Sequence, residues 1–285
     1  MSPIIADTLE DMSIGRHSTA NPDPSLSDAA LAEVLVREAG TLAQLMRAAG
    51  VTSQRKTDVA DVVTEADRAA EAYIVEQLRR CRPEDGILGE EGSAHPSASG
   101  RTWVIDPVDG TYNFLRGSTY WCSAVALVTE HDGVRRPVLG AVHQPEEDKL
   151  WLGGEGHPAT LNGRPLNGPA GKELAESSAA TYIHPTWLQD PLCAMPWHAA
   201  AVGAASLRML GSGSCDLARV AQGELDCWFQ HSCPDWDWFP GAAIVLASGG
   251  SVEVVTVNGL RWFLAGSTTA VAQLRAAMLS THLGG

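Results

Sequence analysis

The sequence lacks a CxxC pair, histidines at zinc-finger spacing, a concentrated basic patch, an internal repeat and any apolar run long enough to cross a bilayer. Each absence excludes a class of protein. The six cysteines, Cys81, Cys122, Cys193, Cys215, Cys227 and Cys233, are scattered, which reads as reduced thiols rather than a disulfide framework or a metal finger. Without about 20 consecutive apolar residues no helix spans a membrane. Residues 1–27 also lack the basic start and apolar core of a secretory signal, so a soluble cytoplasmic protein is expected. Cations are scarce: 20 Lys and Arg against 34 Asp and Glu give a formal charge of −14. Such a chain repels nucleic-acid phosphates and anionic lipid, and neither is an expected partner.

What is present is ordinary globular material, with 45% hydrophobic and 19% charged residues over 285 positions. That length suits one compact two-part domain or two small intimate ones. Residues 1–27, rich in Ser, Asp, Asn and Pro, read as a flexible arm. From Asp28 the apolar residues Leu31, Val34, Leu35, Leu42 and Leu45 recur at helical spacing until Gly50. A second helix is predicted from Thr64, which precedes Glu65 and Asp67 as a hydroxyl cap, to the residues before Pro83. Ile87-Leu88 and Trp103-Val104-Ile105 read as buried strands, each leading into acidic residues.

Further strands are predicted at 123–129, 138–142 and 150–152, with turns at His131-Asp132-Gly133, Gly153-Gly154 and Asn162-Gly163. Residues from about 168 to 197 read as irregular. The second half offers strands at 179–183, 225–229, 252–257 and 261–265, and helices at about 214–222 and 239–247. The pattern implies a layered α/β sandwich, with an N-terminal half over 28–160 and a C-terminal half over 161–285.

The chemistry concentrates in Trp103-Val104-Ile105-Asp106-Pro107-Val108-Asp109-Gly110-Thr111. An apolar strand runs into two aspartates three residues apart, followed by Gly and Thr, a turn able to aim both carboxylates and the Val108 carbonyl at one point. Such hard oxygen donors suit magnesium. An Asp-Pro/Asp-Gly loop with turn chemistry alone is the plainer reading. Glu90-Glu91 ends the preceding strand, where an exposed pair is the plain reading and a place beside Asp106 the functional one. Asp237, in Pro234-Asp235-Trp236-Asp237-Trp238-Phe239-Pro240-Gly241, opens an apolar helix and reads either as a helix cap or as a further ligand.

Taken together these residues resemble the inositol monophosphatase family. The motifs are Asp61-Val62-Val63-Thr64-Glu65-Ala66-Asp67, Gly89-Glu90-Glu91-Gly92, Asp106 to Thr111, Asn162-Gly163-Arg164-Pro165-Leu166, Gly211-Ser212, and Trp236-Asp237 followed by Gly249-Gly250. The resemblance runs from about Leu31 to Leu264 and implies the αβαβα sandwich shared with fructose-1,6-bisphosphatase. It further implies a Mg2+-dependent, lithium-sensitive phosphatase of small phosphate monoesters, with two or three ions per site, and a homodimer. By motif, Glu90, Asp106 and the Val108 carbonyl would hold one magnesium ion, and Asp106, Asp109 and Asp237 a second. Thr111, paired with Asp67, would act with Glu90 on the attacking water. Gly110 and Thr111 would contact phosphate through their backbone, and Gly211, Ser212, Gln230 and Asp237 would lie against the substrate, with Asp216 a weaker candidate. Divalent ions also reconcile the acidic chain with an anionic substrate.

Three departures bear on the substrate. Gln230 stands where many members carry Glu, Gly92 replaces Ser or Thr, and Tyr112 follows Thr111. On the overall motif match alone inositol monophosphate is expected first, against which Gln230 and Tyr112 count, with histidinol phosphate, 3′-phosphoadenosine 5′-phosphate and fructose 1,6-bisphosphate as alternatives. Lys56 matches a frequent family lysine, with a solvated side chain as the plain reading. A haloacid-dehalogenase-type phosphatase is a rival, but its paired aspartates are separated by one residue and share a face, whereas Asp106 and Asp109 are separated by two. A binding protein without turnover is the non-enzymatic alternative. Trp103, Trp121, Trp151 and Trp228 are expected in the core. His184, His198 and His231 are expected as surface or hydrogen-bonded residues, although His231 beside Gln230 is close enough in sequence to touch substrate.

Overall fold

The computed structural model describes residues 21–50, 53–55 and 62–282. Lys56, Asp61 and the first twenty residues of the expected arm lie outside this set. Residues 21–27 pack against the first two helices, with Arg80 donating to the Pro22 carbonyl and Arg82 to those of Pro24 and Leu26.

Helix α1 (Asp28–Ala49) starts on Ser27, whose hydroxyl accepts from Ala30 N–H, and closes at Gly50. A short hairpin of β1 (Ser53–Arg55) and β2 (Val62–Thr64) leads into α2 (Glu65–Cys81). There the Thr64 hydroxyl accepts from the backbone of Ala66 and Asp67, while Asp67 accepts from Thr64 N–H, a reciprocal cap. The chain then builds β3 (Gly86–Gly89), β4 (Ala94–His95), β5 (Arg101–Asp109), the five-residue α3 (Thr111–Leu115), β6 (Cys122–His131), β7 (Val134–Gln144), β8 (Lys149–Gly154), β9 (His157–Leu161) and β10 (Arg164–Pro165). Among the described residues these strands form one eight-stranded sheet of order β10-β9-β8-β7-β6-β5-β3-β4.

The second half contributes β11 (Ser178–Thr181), α4 (Pro191–Ala201), β12 (Ser206–Arg208), α5 (Gly213–Gln222), β13 (Cys227–His231), α6 (Asp235–Ala247), β14 (Ser251–Val257), β15 (Leu260–Gly266) and α7 (Thr268–Leu279). Its strands form a five-stranded sheet of order β12-β11-β13-β15-β14.

Side-chain alternation divides the core between five layers, as the resemblance implies. Trp103, Ile105, Val125 and Leu127 turn outward to Leu31, Leu35, Ile74 and Leu78 of α1 and α2. Val104, Ala124 and Ala126 turn inward to α5 and α6, which meet Trp228, Phe263 and Ala265 of the second sheet on their other side. Phe229, Trp262 and Leu264 face the last layer, α4 and α7. The order is thus helix pair, sheet, helix pair, sheet, helix pair, an αβαβα sandwich. Trp103, Trp121, Trp151 and Trp228 are all fully buried, as expected.

Three departures from the sequence reading have local causes. The stretch read as irregular up to 197 holds the start of α4, which carries Pro191 at its first position and Pro196 inside, so prolines masked it. Likewise α6 begins at Asp235, four residues ahead of the predicted start, despite Pro240 within it. Gly153 and Gly154 belong to β8, and the turn falls at Glu155-Gly156. In addition α7, capped by the Ser267 hydroxyl on Ala270 N–H, is absent from the sequence reading.

Leu35 lies in the apolar packing between the outer helices and the first sheet, so truncating it is expected to act on stability. Leu35→Ala, at a fully buried position of α1, is expected to lower unfolding free energy by about 2–5 kcal/mol in urea denaturation. A loss below about 1 kcal/mol would contradict this packing.

Candidate active site

Asp106 follows Val104 along β5, so the pleat turns it inward, towards the helix layer between the sheets. In a regular strand Asp109, three residues on, would face the opposite way. It does not, because pairing with β6 shifts register between Asp106 and Asp109, and this irregularity re-aims the chain. Parallel pairing of β3 with β5 places Gly89 opposite Ile105, and Glu90 N–H donates to the Ile105 carbonyl at 3.2 Å, which brings Glu90 beside Asp106. From the inner layer, Asp237 arrives as the third residue of α6. That helix starts at Pro234 with no side-chain cap, so the capping role considered for Asp237 is not realised.

The four carboxylates meet. The charges of Glu90, Asp109 and Asp237 all act on Asp106, which shares hydrogen bonds with Glu90 and with Asp237 and also accepts from Val108 N–H at 3.2 Å. Burial, then the neighbouring carboxylates, raise the pKa values of Asp106 and Asp237 well above the usual carboxylate range. Burial also raises Asp109, partly offset by hydrogen bonds from Ser214, Ser212 and Gly213. Ser214 N–H reaches Asp109 Oδ2 at 2.5 Å, so this carboxylate sits on the N-terminus of α5.

A second constellation adjoins the first. Thr111 Oγ1 lies 3.2 Å from Asp67 Oδ1 and 3.0 Å from the Val108 carbonyl, so one hydroxyl hydrogen has two acceptors. Asp67 is fully buried and its pKa is pushed up to about 6, chiefly by burial and also by the charge of Glu91, against the hydrogen bonds from Thr64. The pairing expected from the motifs is therefore present in the geometry. Gly110 holds the turn between Asp109 and α3 at φ 92°, where a Cβ would also stand 2.9 Å from the Gly211 carbonyl.

Gly211 and Ser212 are drawn to this turn. Ser212 spends its hydroxyl on Cys215 N–H, as the cap of α5, and on Asp109. Asp216 is buried and accepts from the Tyr120 hydroxyl at 2.6 Å, with burial pushing it up to about 8, so it belongs to the packing behind the carboxylates. Gln230 and His231 part company: Gln230 shares the inner face of β13 with Trp228, while His231 turns outward against Trp187 and Trp262. Contact of His231 with a ligand beside Gln230 is thus not supported.

Sequence reasoning missed Asn113 and Ser214. Asn113 Nδ2 donates to the carbonyls of Tyr120 (2.9 Å) and Leu210 (2.7 Å), tying the Gly110 turn to the segment before α5. Ser214 acts through its backbone, which leaves no signature in residue type.

The donor chemistry fits hard divalent cations. All four side chains offer oxygen, and the main influences on Asp106 are burial and like charge, with no cation among them. Among the described residues no group of three or more His, Cys, Asp or Glu side chains is arranged to hold a metal ion. Asp106 instead spends its oxygens on Glu90, Asp237 and the Val108 amide. A ligand set completed by a backbone carbonyl and water needs fewer carboxylates per ion, and Val108 supplies such a carbonyl.

The model of the inositol monophosphatase family matches residues 27–282. The chain belongs to this family. It is 34% identical over 204 residues to inositol monophosphatase 2 of Solanum lycopersicum, covering 68% of this chain and 75% of the relative. The extragenic suppressor protein suhB of Bartonella henselae superposes with a TM-score of 0.78 at 25% identity, covering 87% of this chain and 97% of that one. The inositol monophosphate-bound SaIMPase-II superposes at 0.71 with 25% identity, over 88% and 94%. As a member of the inositol monophosphatase family the chain is a hydrolase of phosphate monoesters, which sets aside the reading without turnover and the haloacid-dehalogenase rival.

The raised pKa values generate a signed prediction. Above about 3.9, the ordinary Asp value, the folded protein retains protons on Asp106, Asp109 and Asp237 that the unfolded chain has released. Their ionisation therefore costs stability that is absent below about pH 4 and grows as pH rises above it. A cation bound to the ionised set offsets that cost. Magnesium should accordingly shift the urea midpoint, relative to chelator, more at pH 7 than at pH 5. Equal shifts at both pH values would contradict the assignment.

Proposed function

We propose that this protein hydrolyses a small phosphate monoester, inositol monophosphate first among the candidates, by direct in-line attack of water on phosphorus without a phosphoenzyme. The observation that carries the reading is the burial of Asp106 among Glu90, Asp109 and Asp237, whose ionised form a cation between the sheets would stabilise. Glu90, Asp106 and the Val108 carbonyl would hold one magnesium ion, and Asp106, Asp109 and Asp237 another, with a third, weaker ion near Glu90 and lithium as an inhibitor. Bound there, magnesium supplies Lewis acidity, lowering the pKa of water and taking up charge at the leaving oxygen.

The chain's own groups do the rest. Thr111, with its hydroxyl between Asp67 and the Val108 carbonyl, orients the attacking water together with Glu90 and passes its proton towards Asp67. Asp67, at about 6, is largely ionised near neutral pH and able to accept it. The backbone of Gly110 and Thr111 holds the phosphate. As the water oxygen bonds to phosphorus, the bond to the leaving oxygen breaks, and that oxygen takes a proton from solvent water to become the alcohol product, while Asp67 later returns its proton to solvent. The N-terminal half (28–160) thus supplies most of the charge, while the C-terminal half (161–285) supplies Asp237 and, through Gly211, Ser212 and Gln230, contacts to the alcohol portion.

Gln230, a neutral amide on the inner face of β13, favours no single polyol, so histidinol phosphate, 3′-phosphoadenosine 5′-phosphate and fructose 1,6-bisphosphate remain alternatives for the same machinery. We place the protein in the cytoplasm as a homodimer. The exposed apolar side chains Val202 and Met209 flank the edge strand β12 and suit a subunit contact. Among the described residues no helix is long and apolar enough to cross a membrane.

Phosphate release from these four compounds, with and without magnesium, tests the reading; no turnover on any of them would contradict it. Asp109→Asn should lower kcat by about a hundredfold or more and leave the circular dichroism spectrum unchanged, and wild-type turnover in this variant would refute the role of Asp109. A single turnover in 18O-labelled water should place solvent oxygen in the released phosphate.

A further inference from the structure

Glu71 is a carboxylate that the reaction as described does not use, yet it is only 3% exposed. A buried ionisable side chain persists where hydrogen bonds compensate its desolvation. Glu71 meets that condition on the segment that carries Glu90. Its Oε2 accepts from Glu91 N–H at 2.8 Å and its Oε1 from Ser93 N–H at 3.0 Å. The same four-residue segment, 90–93, is held from other sides by Glu90 N–H on the Ile105 carbonyl, Gly92 N–H on the Gly89 carbonyl and Gly89 N–H on the Ser93 carbonyl.

The fit is close. A Cβ at Gly89 would stand 2.4 Å from Glu71 Oε2 and 2.5 Å from its Cδ, so the Glu71 carboxylate lies flat against the chain where Glu90 departs. Asp67 and Glu71 are four residues apart on α2 and share one helix face. That face therefore presents Asp67 to Thr111 and, one turn on, Glu71 to the Glu90 segment.

We propose that Glu71 is a positioning residue: its paired charge-assisted hydrogen bonds fix Glu90 at a set distance from the Thr111–Asp67 pair, so that one rigid helix registers the two groups that act on the attacking water. The inference rests on the proposed use of Glu90 and goes beyond it, because Glu71 touches neither substrate nor cation. Glu71→Gln keeps the shape but turns one acceptor into a donor facing a backbone N–H, which pushes the segment away.

The test is a double-mutant cycle with Glu90→Gln on the full-length protein, reading kcat and the magnesium concentration for half activity, alongside calorimetric Mg2+ binding without substrate. Glu71→Gln should lower kcat by about ten- to a hundredfold, raise the half-saturating magnesium concentration and weaken Mg2+ binding. Added to Glu90→Gln it should cause no further fall in kcat, since it acts through that residue. If Glu90→Gln alone is fully active, the proposed function fails; if Glu90→Gln is inactive while Glu71→Gln keeps wild-type kcat and magnesium dependence, the positioning role fails. An equal fall in both backgrounds also overturns it. Should Glu71→Gln not fold, hydrogen exchange of the wild-type protein decides: the Glu91 and Ser93 amides should be protected, and exchange as fast as in exposed loops overturns the role.

Discussion

The repulsion between carboxylates buried at one point is the constraint around which this molecule is organised. Apolar packing takes Asp106 and Asp109 out of water beside the half-buried Glu90 and Asp237, and such charges need compensation in a stable fold. Two means of compensation are visible in the chain itself: sharing of hydrogen bonds among Glu90, Asp106 and Asp237, and the amides of the α5 N-terminus around Asp109. Neither supplies a formal positive charge, and in the proposed function divalent ions at this point would supply it and, through it, hold an anionic substrate.

The five-layer architecture serves that convergence. Sheet alternation turns Asp106 inward, a register shift between Asp106 and Asp109 turns Asp109 the same way, and α6 brings Asp237 from the central helix layer. The site thus lies where the two halves meet, supported by strands and helices rather than by long loops, which suits groups that must keep fixed separations. Asn113 and the Ser212 cap extend this support behind the carboxylates, and Glu71 extends it beside Glu90.

Much of this was legible in residue order. An apolar strand ending in Asp106-Pro107-Val108-Asp109-Gly110-Thr111 announces its chemistry through residue type and spacing, and the Thr64 cap marks the start of α2 as found. The αβαβα layering followed from resemblance together with alternating helices and strands. What stayed hidden has physical reasons. The prolines of α4 and α6 disguise helices whose apolar packing outweighs a lost hydrogen bond. Ser214 contributes a backbone amide, which no side chain reports. Strand parity sends His231 away from Gln230, a separation that adjacency in sequence conceals. Glu71 could have been found, since a charged residue at a buried helical position four places after Asp67 is out of pattern.

The most direct test of the central claim is crystallographic: anomalous scattering from crystals grown with Mn2+ in place of magnesium. Metal peaks within about 2.3 Å of carboxylate oxygens of Glu90, Asp106, Asp109 and Asp237, with the Val108 carbonyl completing one set, are the expected result. Manganese bound elsewhere on the surface, with these four side chains still bonded only to one another, would contradict the account.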